Sequence, residues 1–427
     1  MTVAERISDL SVLWKEASVV FPFFDRRELN WDAAYRDYLD RVIRTEDACE
    51  FHLLLAEFLN LLGDGHTDYT PPKSMVDEVG MLPFSLKYVD GGYCVRAIRQ
   101  GGEAHLAAKV LAINSRGMRQ VAGDLARYSY HADNFISRPN LFLPFLLNPT
   151  GNVLETTAGS YAFDLQKTMP DLVAVGELLT TVPYREIPSD RLCLRRYDGD
   201  ILYIKMNDFL YRAAAEEIEG ALRACGALKG VVLDLRENIG GMTKFAAAVA
   251  ELFISGEFHS LQKHTRSMTG KDLASAGQLL MMPEEERVKW CDEAELERCR
   301  RISSGTYFEE WEDTVGSPEH RAMYEGPVTL LTSRYTVSAA EDFVAMFRST
   351  GRGTVVGEAT QGTTGTPLLL PLSGGGRARI CSIGNRLIDG TEFIGVGIVP
   401  DLQMALTAEE YAAGKDSVLE DVLNGFQ

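Results

Sequence analysis

Two residues of this chain have the type and the setting for nucleophilic chemistry. Ser338 lies in TVSAAEDF, residues 336–343, after the apolar run Val328 to Leu331. It opens a segment whose Ala340, Phe343, Ala345, Met346 and Phe347 are spaced for a helix. A hydroxyl there is a simple N-cap, or a nucleophile whose developing oxyanion is received by unpaired N–H groups of the first turn. His66 lies in DGHTDYTPP, residues 64–72, a polar turn closed by two prolines. Imidazole, with an ordinary pKa of about 6.5, takes a hydroxyl proton at neutral pH. By itself it reads as a loop histidine. With Asp64 and Asp68 it forms an incomplete ligand set for a metal-assisted hydrolase.

Three kinds of element must position these groups. Residues 1–78 read as helical: Trp31, Tyr35, Tyr38, Leu39 and Val42 recur at helical spacing, as do Phe51, Leu54, Leu55, Phe58, Leu59 and Leu62, with Gly63 as a stop before the histidine. Residues 79–197 change to short strands and turns. LKYVDGGYCVRAI (86–98) reads as a hairpin around Asp90-Gly91-Gly92, followed by a strand and polar turn at 107–118 and a short helix at 122–130. From 198 to 427 strand and helix alternate. ILYIKM and GVVLDL are strands, and the second runs into the glycine turn RENIGG, 236–241. A charged, weakly periodic insertion at about 257–325 suggests a helical lid or flap. The glycine run 374–376 turns a hairpin and is no phosphate loop, because neither a helix nor a Lys-Ser/Thr pair follows it.

A length of 427 residues suggests two or three domains, and 45% hydrophobic with 24% charged residues is the balance of a globular protein. The formal net charge of −18 argues against nucleic acid or an anionic membrane as the main partner. The first twenty residues mix charged and apolar types, so no signal peptide is expected, and no run is long enough to cross a bilayer. Seven scattered cysteines with no CxxC pair indicate neither a zinc knuckle nor a disulfide framework, and a cytoplasmic setting is expected. No cofactor and no metal is expected.

DLRENIGG (234–241), TVSAAEDF with GEATQG (357–362), and DGTEFIGVGIVPD (389–401) stand in the order and local setting that resembles the serine peptidases of the tail-specific (C-terminal-processing) and tricorn family; DGHT extends the likeness to the N-terminal region. The resemblance implies an α/β fold with a crotonase-like ββα-spiral core at 198–427, a helical region at 1–78 carrying His66, and a β-rich, PDZ-like middle domain at 79–197. It implies Ser338 as nucleophile and the N–H groups of Gly241 and Ala339 as oxyanion hole. The tail-specific branch takes a lysine some two dozen residues after the serine. The one lysine after Ser338 is Lys415, so the tricorn-like Ser-His arrangement fits better, with His66 as base and Glu392 orienting it. Gly65 replaces the relay serine of that branch, which leaves Asp64 or Asp68 as other orienting groups. The implied activity is hydrolysis of peptide or protein substrates through an acyl-enzyme. A catalytically silent peptide- or lipid-binding protein on the same scaffold and an esterase are the alternatives.

Overall fold

The computed structural model describes residues 1–26, 28–130, 141–168, 170–266, 270–304 and 308–426. Three helices, Val3–Val20, Trp31–Arg44 and Ala48–Asn60, build the N-terminal region. Each starts on a side-chain cap: Thr2 in a capping box with Glu5, Asn30 accepting from the Ala33 N–H, and Asp47 accepting from the Glu50 N–H. Their apolar stripes meet, and Trp31 stacks on Phe58 with ring centroids 4.2 Å apart. Three residues past the end of the third helix, Gly63, with φ of 55°, lets the chain turn sharply into the loop carrying His66.

The middle of the chain forms an antiparallel sheet in the order Phe84–Val89, Gly92–Arg99, Lys109–Ile113, Asn152–Thr156, Gly159–Phe163. The first hairpin turns through Asp90 and Gly91, both at positive φ, as a two-residue turn between right-twisted strands requires. The short helix is Met118–Leu125, a few residues earlier than the spacing suggested. One apolar cluster runs through the N-terminal helices, this sheet and the later residues Leu372, Ala378, Ile380 and Cys381. Region and sheet therefore share a core.

A seven-stranded sheet dominates the C-terminal half. Its order is Leu402–Gln403, Thr354–Gly357, Val328–Thr332, Gly230–Asp234, Ile201–Lys205, Cys193–Tyr197, Tyr184–Ile187. The first five run parallel; the last two pair antiparallel. Alternate residues face opposite sides. Leu202, Ile204, Val231, Leu233 and Leu330 pack on the helices Ala214–Cys225, Thr243–Ala250 and Ala339–Thr350. Ile201, Tyr203, Val232 and Leu331 pack on Ser417–Gly425. Burial on both faces explains why these strands read as unbroken apolar runs.

The charged insertion is an arm. Strands Phe258–Arg266 and Phe308–Val315 pair antiparallel, Gly384–Arg386 joins them, and helices Gly270–Met281 and Glu293–Ser304 pack together through Ala276, Cys299 and Ile302. A second small sheet has larger consequences for function. Strand Asp68–Thr70 pairs antiparallel with Arg377–Cys381, which turns back on Pro367–Pro371. Asp68 faces Arg379 in register and pairs with its guanidinium, while Thr67 Oγ1 accepts from the Cys381 N–H at 3.0 Å. This junction ties the histidine loop to the C-terminal half. Among the described residues no helix is long and apolar enough to cross a membrane.

Candidate active site

Ser338 sits where the strand Val328–Thr332 gives way, through a short turn, to the helix Ala339–Thr350. Its backbone is held at φ 60°, ψ −126°, a conformation that L side chains rarely adopt and that persists only where the surroundings enforce it. Those surroundings are two loops. The Val337 N–H donates to the Asn238 carbonyl at 3.0 Å, and the Ser338 N–H donates to the Thr363 carbonyl at 3.0 Å. The strained turn aims the hydroxyl into a cleft of about 1010 Å³, lined among others by His66, Ile239, Met242, Tyr335 and Thr364.

The histidine arrives from the other end of the chain. His66 Nε2 lies 3.1 Å from Ser338 Oγ, and Nδ1 lies 2.6 Å from Thr363 Oγ1. With the proton on Nδ1 donated to Thr363 Oγ1, Nε2 is free to accept from the serine hydroxyl, the tautomer that a general base needs. The backbone under the ring is fixed separately. Asp64 Oδ2 accepts from the His66 N–H at 3.0 Å and from Thr67 Oγ1 at 2.8 Å. Burial pushes the Asp64 pKa up to about 6. Asp64 thus shapes the loop through the His66 backbone and the Thr67 hydroxyl. Asp68 is committed to Arg379, so the metal arrangement of Asp64, His66 and Asp68 is not formed.

Behind Thr363 stands a carboxyl group that the sequence did not single out for chemistry. Glu341, fully buried in the first turn of the Ser338 helix, accepts four hydrogen bonds. They come from Thr360 Oγ1 at 2.5 Å, Gly362 N–H at 2.7 Å, Thr363 N–H at 2.8 Å and Ser338 N–H at 3.3 Å. Burial outweighs these donors and raises its pKa to about 8. The S-x-x-E spacing from Ser338 to Glu341 is a helix-start signal, and the back-reach to the Ser338 N–H agrees with it. Nothing in the spacing pointed to residues 360–363, which meet Glu341 only in the fold.

Glu392, the expected orienting group, is a correction. Its side chain is half exposed and pairs with Arg26 at 2.9 Å. The segment that carries it serves the site through its backbone instead. Gly395 N–H donates to the Gly362 carbonyl at 2.7 Å, and Ile398 N–H to Thr360 Oγ1 at 2.7 Å. A Cβ on Gly362 would lie 2.5 Å from Gly397 N. That packing keeps the glycine segment flat against the 360–363 loop and turns Glu392 outward.

Gly241 lines the same cleft as Ser338, and Ala339 follows Ser338 in the chain. Gly240 O accepts from Phe209 N–H at 2.8 Å, and Met242 N–H donates to Phe209 O at 3.0 Å. This bridge uses the groups on either side of Gly241 and turns the Gly241 N–H the other way. Among the described residues neither the Gly241 nor the Ala339 N–H is taken by an acceptor. The arrangement can therefore supply a nucleophile, a base and two donors for an oxyanion.

Two substitutions probe this geometry. A Cβ at Gly240 would meet Ser338 Cβ and Val337 O at 2.6 Å each, and Gly240 has φ +86°. Gly240→Ala should push the two loops apart and slow acylation of Ser338 by about 100-fold, since misplacement by about 1 Å costs that much. Thr363→Val keeps the shape of the side chain and removes the partner of Nδ1. The acylation rate should fall by about tenfold, the cost of losing one hydrogen bond to a polar ring. Both rates are measurable with a fluorophosphonate probe.

Residues 200–404 match the family model described as peptidase family S41. The carboxy-terminal-processing protease of Bartonella bacilliformis is 24% identical over 249 residues, 56% of this chain and 47% of that protein, so the chain spans about half the length of the curated relative it matches. Among solved structures, mature CPAF complexed with lactacystin superposes with a TM-score of 0.72 at 14% identity, covering 99% of both chains. A putative peptidase from Parabacteroides merdae gives 0.58 at 16%, covering 100% and 97%. The photosystem II D1 C-terminal processing protease gives 0.51 at 14%, covering 95% and 94%. These likenesses establish the fold, a mixed arrangement of helices and sheets common to such peptidases. Across residues 200–404 the chain is thus similar to peptidase family S41, and its fold is that of the peptidases it superposes on.

Proposed function

We propose that the chain is a serine peptidase that hydrolyses peptide bonds through an acyl-enzyme on Ser338, with His66 as general base. The observation that carries this reading is the 3.1 Å approach of His66 Nε2 to Ser338 Oγ across 272 residues of sequence. His66 takes the hydroxyl proton as Oγ attacks the carbonyl carbon. The oxyanion is received by the N–H groups of Gly241 and Ala339. His66 then protonates the leaving amine, and water repeats the sequence to release the acid. Thr363 holds the ring through Nδ1, and Glu341 fixes Thr363 through its backbone. The match of residues 200–404 to the peptidase family S41 model supports the same activity. The substrate is a peptide or protein segment laid in the cleft. We place the chain in the cytoplasm, the setting that seven scattered cysteines without a paired spacing favour.

Incubation with a fluorophosphonate, followed by mass mapping, tests the reading. An adduct on Ser338 and loss of peptide hydrolysis in Ser338→Ala are the expected results. Full peptidase activity in Ser338→Ala would reject the nucleophile.

A further inference from the structure

The two oxyanion donors stand on separate segments, the Gly241 N–H on the loop after Gly230–Asp234 and the Ala339 N–H at the start of the helix Ala339–Thr350. They are far apart in sequence, so contacts between the segments must set their spacing. Upstream of Gly241 these contacts fall on backbone carbonyls. The Leu235 carbonyl accepts from Thr336 Oγ1 at 2.8 Å, the Arg236 carbonyl from Ser333 Oγ at 2.5 Å, and the Asn238 carbonyl from the Val337 N–H at 3.0 Å. Downstream the connection is made by side chains. Thr243 Oγ1 donates to Asp342 Oδ2 at 2.7 Å. Among the described residues no other hydrogen bond joins residues 242–250 to the Ser338 helix.

Asp342 follows Ser338 by four residues, one helical turn, and side chains at that spacing share a face. Side chains in a helix lean toward its N-terminus, so this carboxyl leans toward the serine end, and it lines the cleft together with Thr243 and Thr364. Only 4% of the residue is exposed. Burial raises its pKa, against the pull of the Lys263 ammonium, which is itself paired with Asp313. A buried carboxyl is costly unless hydrogen-bonded, and here two hydroxyls compensate it, Thr243 on one oxygen and Thr364 Oγ1, at 2.8 Å, on the other. Those hydroxyls belong to the two loops of the site. Thr243 lies two residues after Gly241, and Thr364 follows Thr363, which holds the His66 ring.

We propose, on the reading of Ser338 and His66 as nucleophile and base, that Asp342 is a positioning residue of this site. From the helix that carries Ser338 it clamps Thr243 and Thr364, and so fixes the Gly241 N–H and the imidazole-holding loop relative to the nucleophile. Gly241 then lies between two anchors, the Asn238 tie before it and the Thr243 tie after it. The apolar packing of Thr243–Ala250 on Ala339–Thr350 is non-directional, whereas the two hydrogen bonds fix a direction. An oxyanion donor is effective at about 2.7–3.1 Å from the developing charge, so a small slide of this helix start is enough to lose it.

Fluorophosphonate acylation of Ser338, in variants whose circular dichroism matches the wild type, tests the clamp. Asp342→Ala should slow acylation by about 100-fold, the cost of misplacement by about 1 Å. Asp342→Asn should recover most of that loss, because a carboxamide oxygen accepts from one hydroxyl while its N–H donates to the other. Thr243→Val and Thr364→Val should each slow the reaction by about tenfold. Asp342→Ala should cost nothing further when added to that pair, and packing alone would give neither this non-additivity nor the rescue. Wild-type rates in Asp342→Ala, or in both threonine variants, overturn the proposal. So does full additivity, or a loss in Asp342→Asn equal to that in alanine. The threonine variants keep the test intact should Asp342→Ala fail to fold. A wild-type chain left unlabelled at Ser338 would reject the peptidase reading and the clamp with it, whereas a labelled wild type with indifferent variants rejects the clamp alone.

Discussion

Ser338 in a His66→Ala variant is expected to react with a fluorophosphonate about 10³- to 10⁴-fold more slowly than in the wild type. The serine hydroxyl is a weak nucleophile until a base removes its proton, and His66 Nε2 is within hydrogen-bond distance to do so. The substitution is also clean. The contact that shapes the loop uses the His66 backbone N–H and Asp64 Oδ2, which alanine retains, and Thr67 keeps both its bond to Asp64 and its bond from the Cys381 N–H. Circular dichroism should therefore be unchanged while acylation collapses. A variant that labels at the wild-type rate would remove His66 from the mechanism and leave its approach to Ser338 without a role. The oxyanion donors Gly241 and Ala339 remain in place in this variant, so a residual rate above that of Ser338→Ala, which cannot form the adduct, is also expected.

What the sequence made legible follows the range of the interactions involved. Strands such as Gly230–Asp234 and Ile201–Lys205 were readable because burial on both faces writes an unbroken apolar run. The helix after Ser338 was readable because its apolar positions and its opening serine are local features. The meeting of His66 with Ser338 could be expected only through family resemblance, since no periodicity links residues 272 apart. Thr363 and Glu341 escaped for a related reason. Thr363 is one polar residue in GEATQGTTG, and the 2.6 Å approach that gives it a role depends on how the N-terminal region docks through Asp68 and Arg379. Glu392 failed in the opposite sense. Its segment does support the site, but through Gly395 and Ile398 N–H groups, and the side chain that carried the expectation is paired with Arg26. The insertion was recognised by composition, whereas its pairing with Gly384–Arg386 is non-local and left no pattern to read.

Glu341→Ala should combine a loss of function with a loss of stability. The buried carboxyl is the acceptor for Thr360 Oγ1 and for the Gly362 and Thr363 N–H groups. Removing it strands three buried donors, at about 1–3 kcal/mol each, so a stability loss on the order of 3–9 kcal/mol is expected in denaturant titration. The freed 360–363 loop no longer fixes Thr363 against the imidazole, and acylation of Ser338 should slow by about 100- to 1000-fold. Glu341→Gln, which keeps one acceptor oxygen but turns an amide N–H toward backbone donors, should fall between. The pH dependence separates this role from simple filling of space. Burial raises the folded-state pKa of Glu341 from 4.5 to about 8, so folding takes up a proton between these values. The stability owed to that proton is complete below about pH 4.5 and is lost as pH rises through 8. Wild type should therefore lose part of its advantage over Glu341→Ala between pH 5 and pH 9, approximately. A constant difference across that range would mean that Glu341 does not titrate in the fold. Wild-type acylation in Glu341→Ala would mean that the 360–363 loop holds His66 without it.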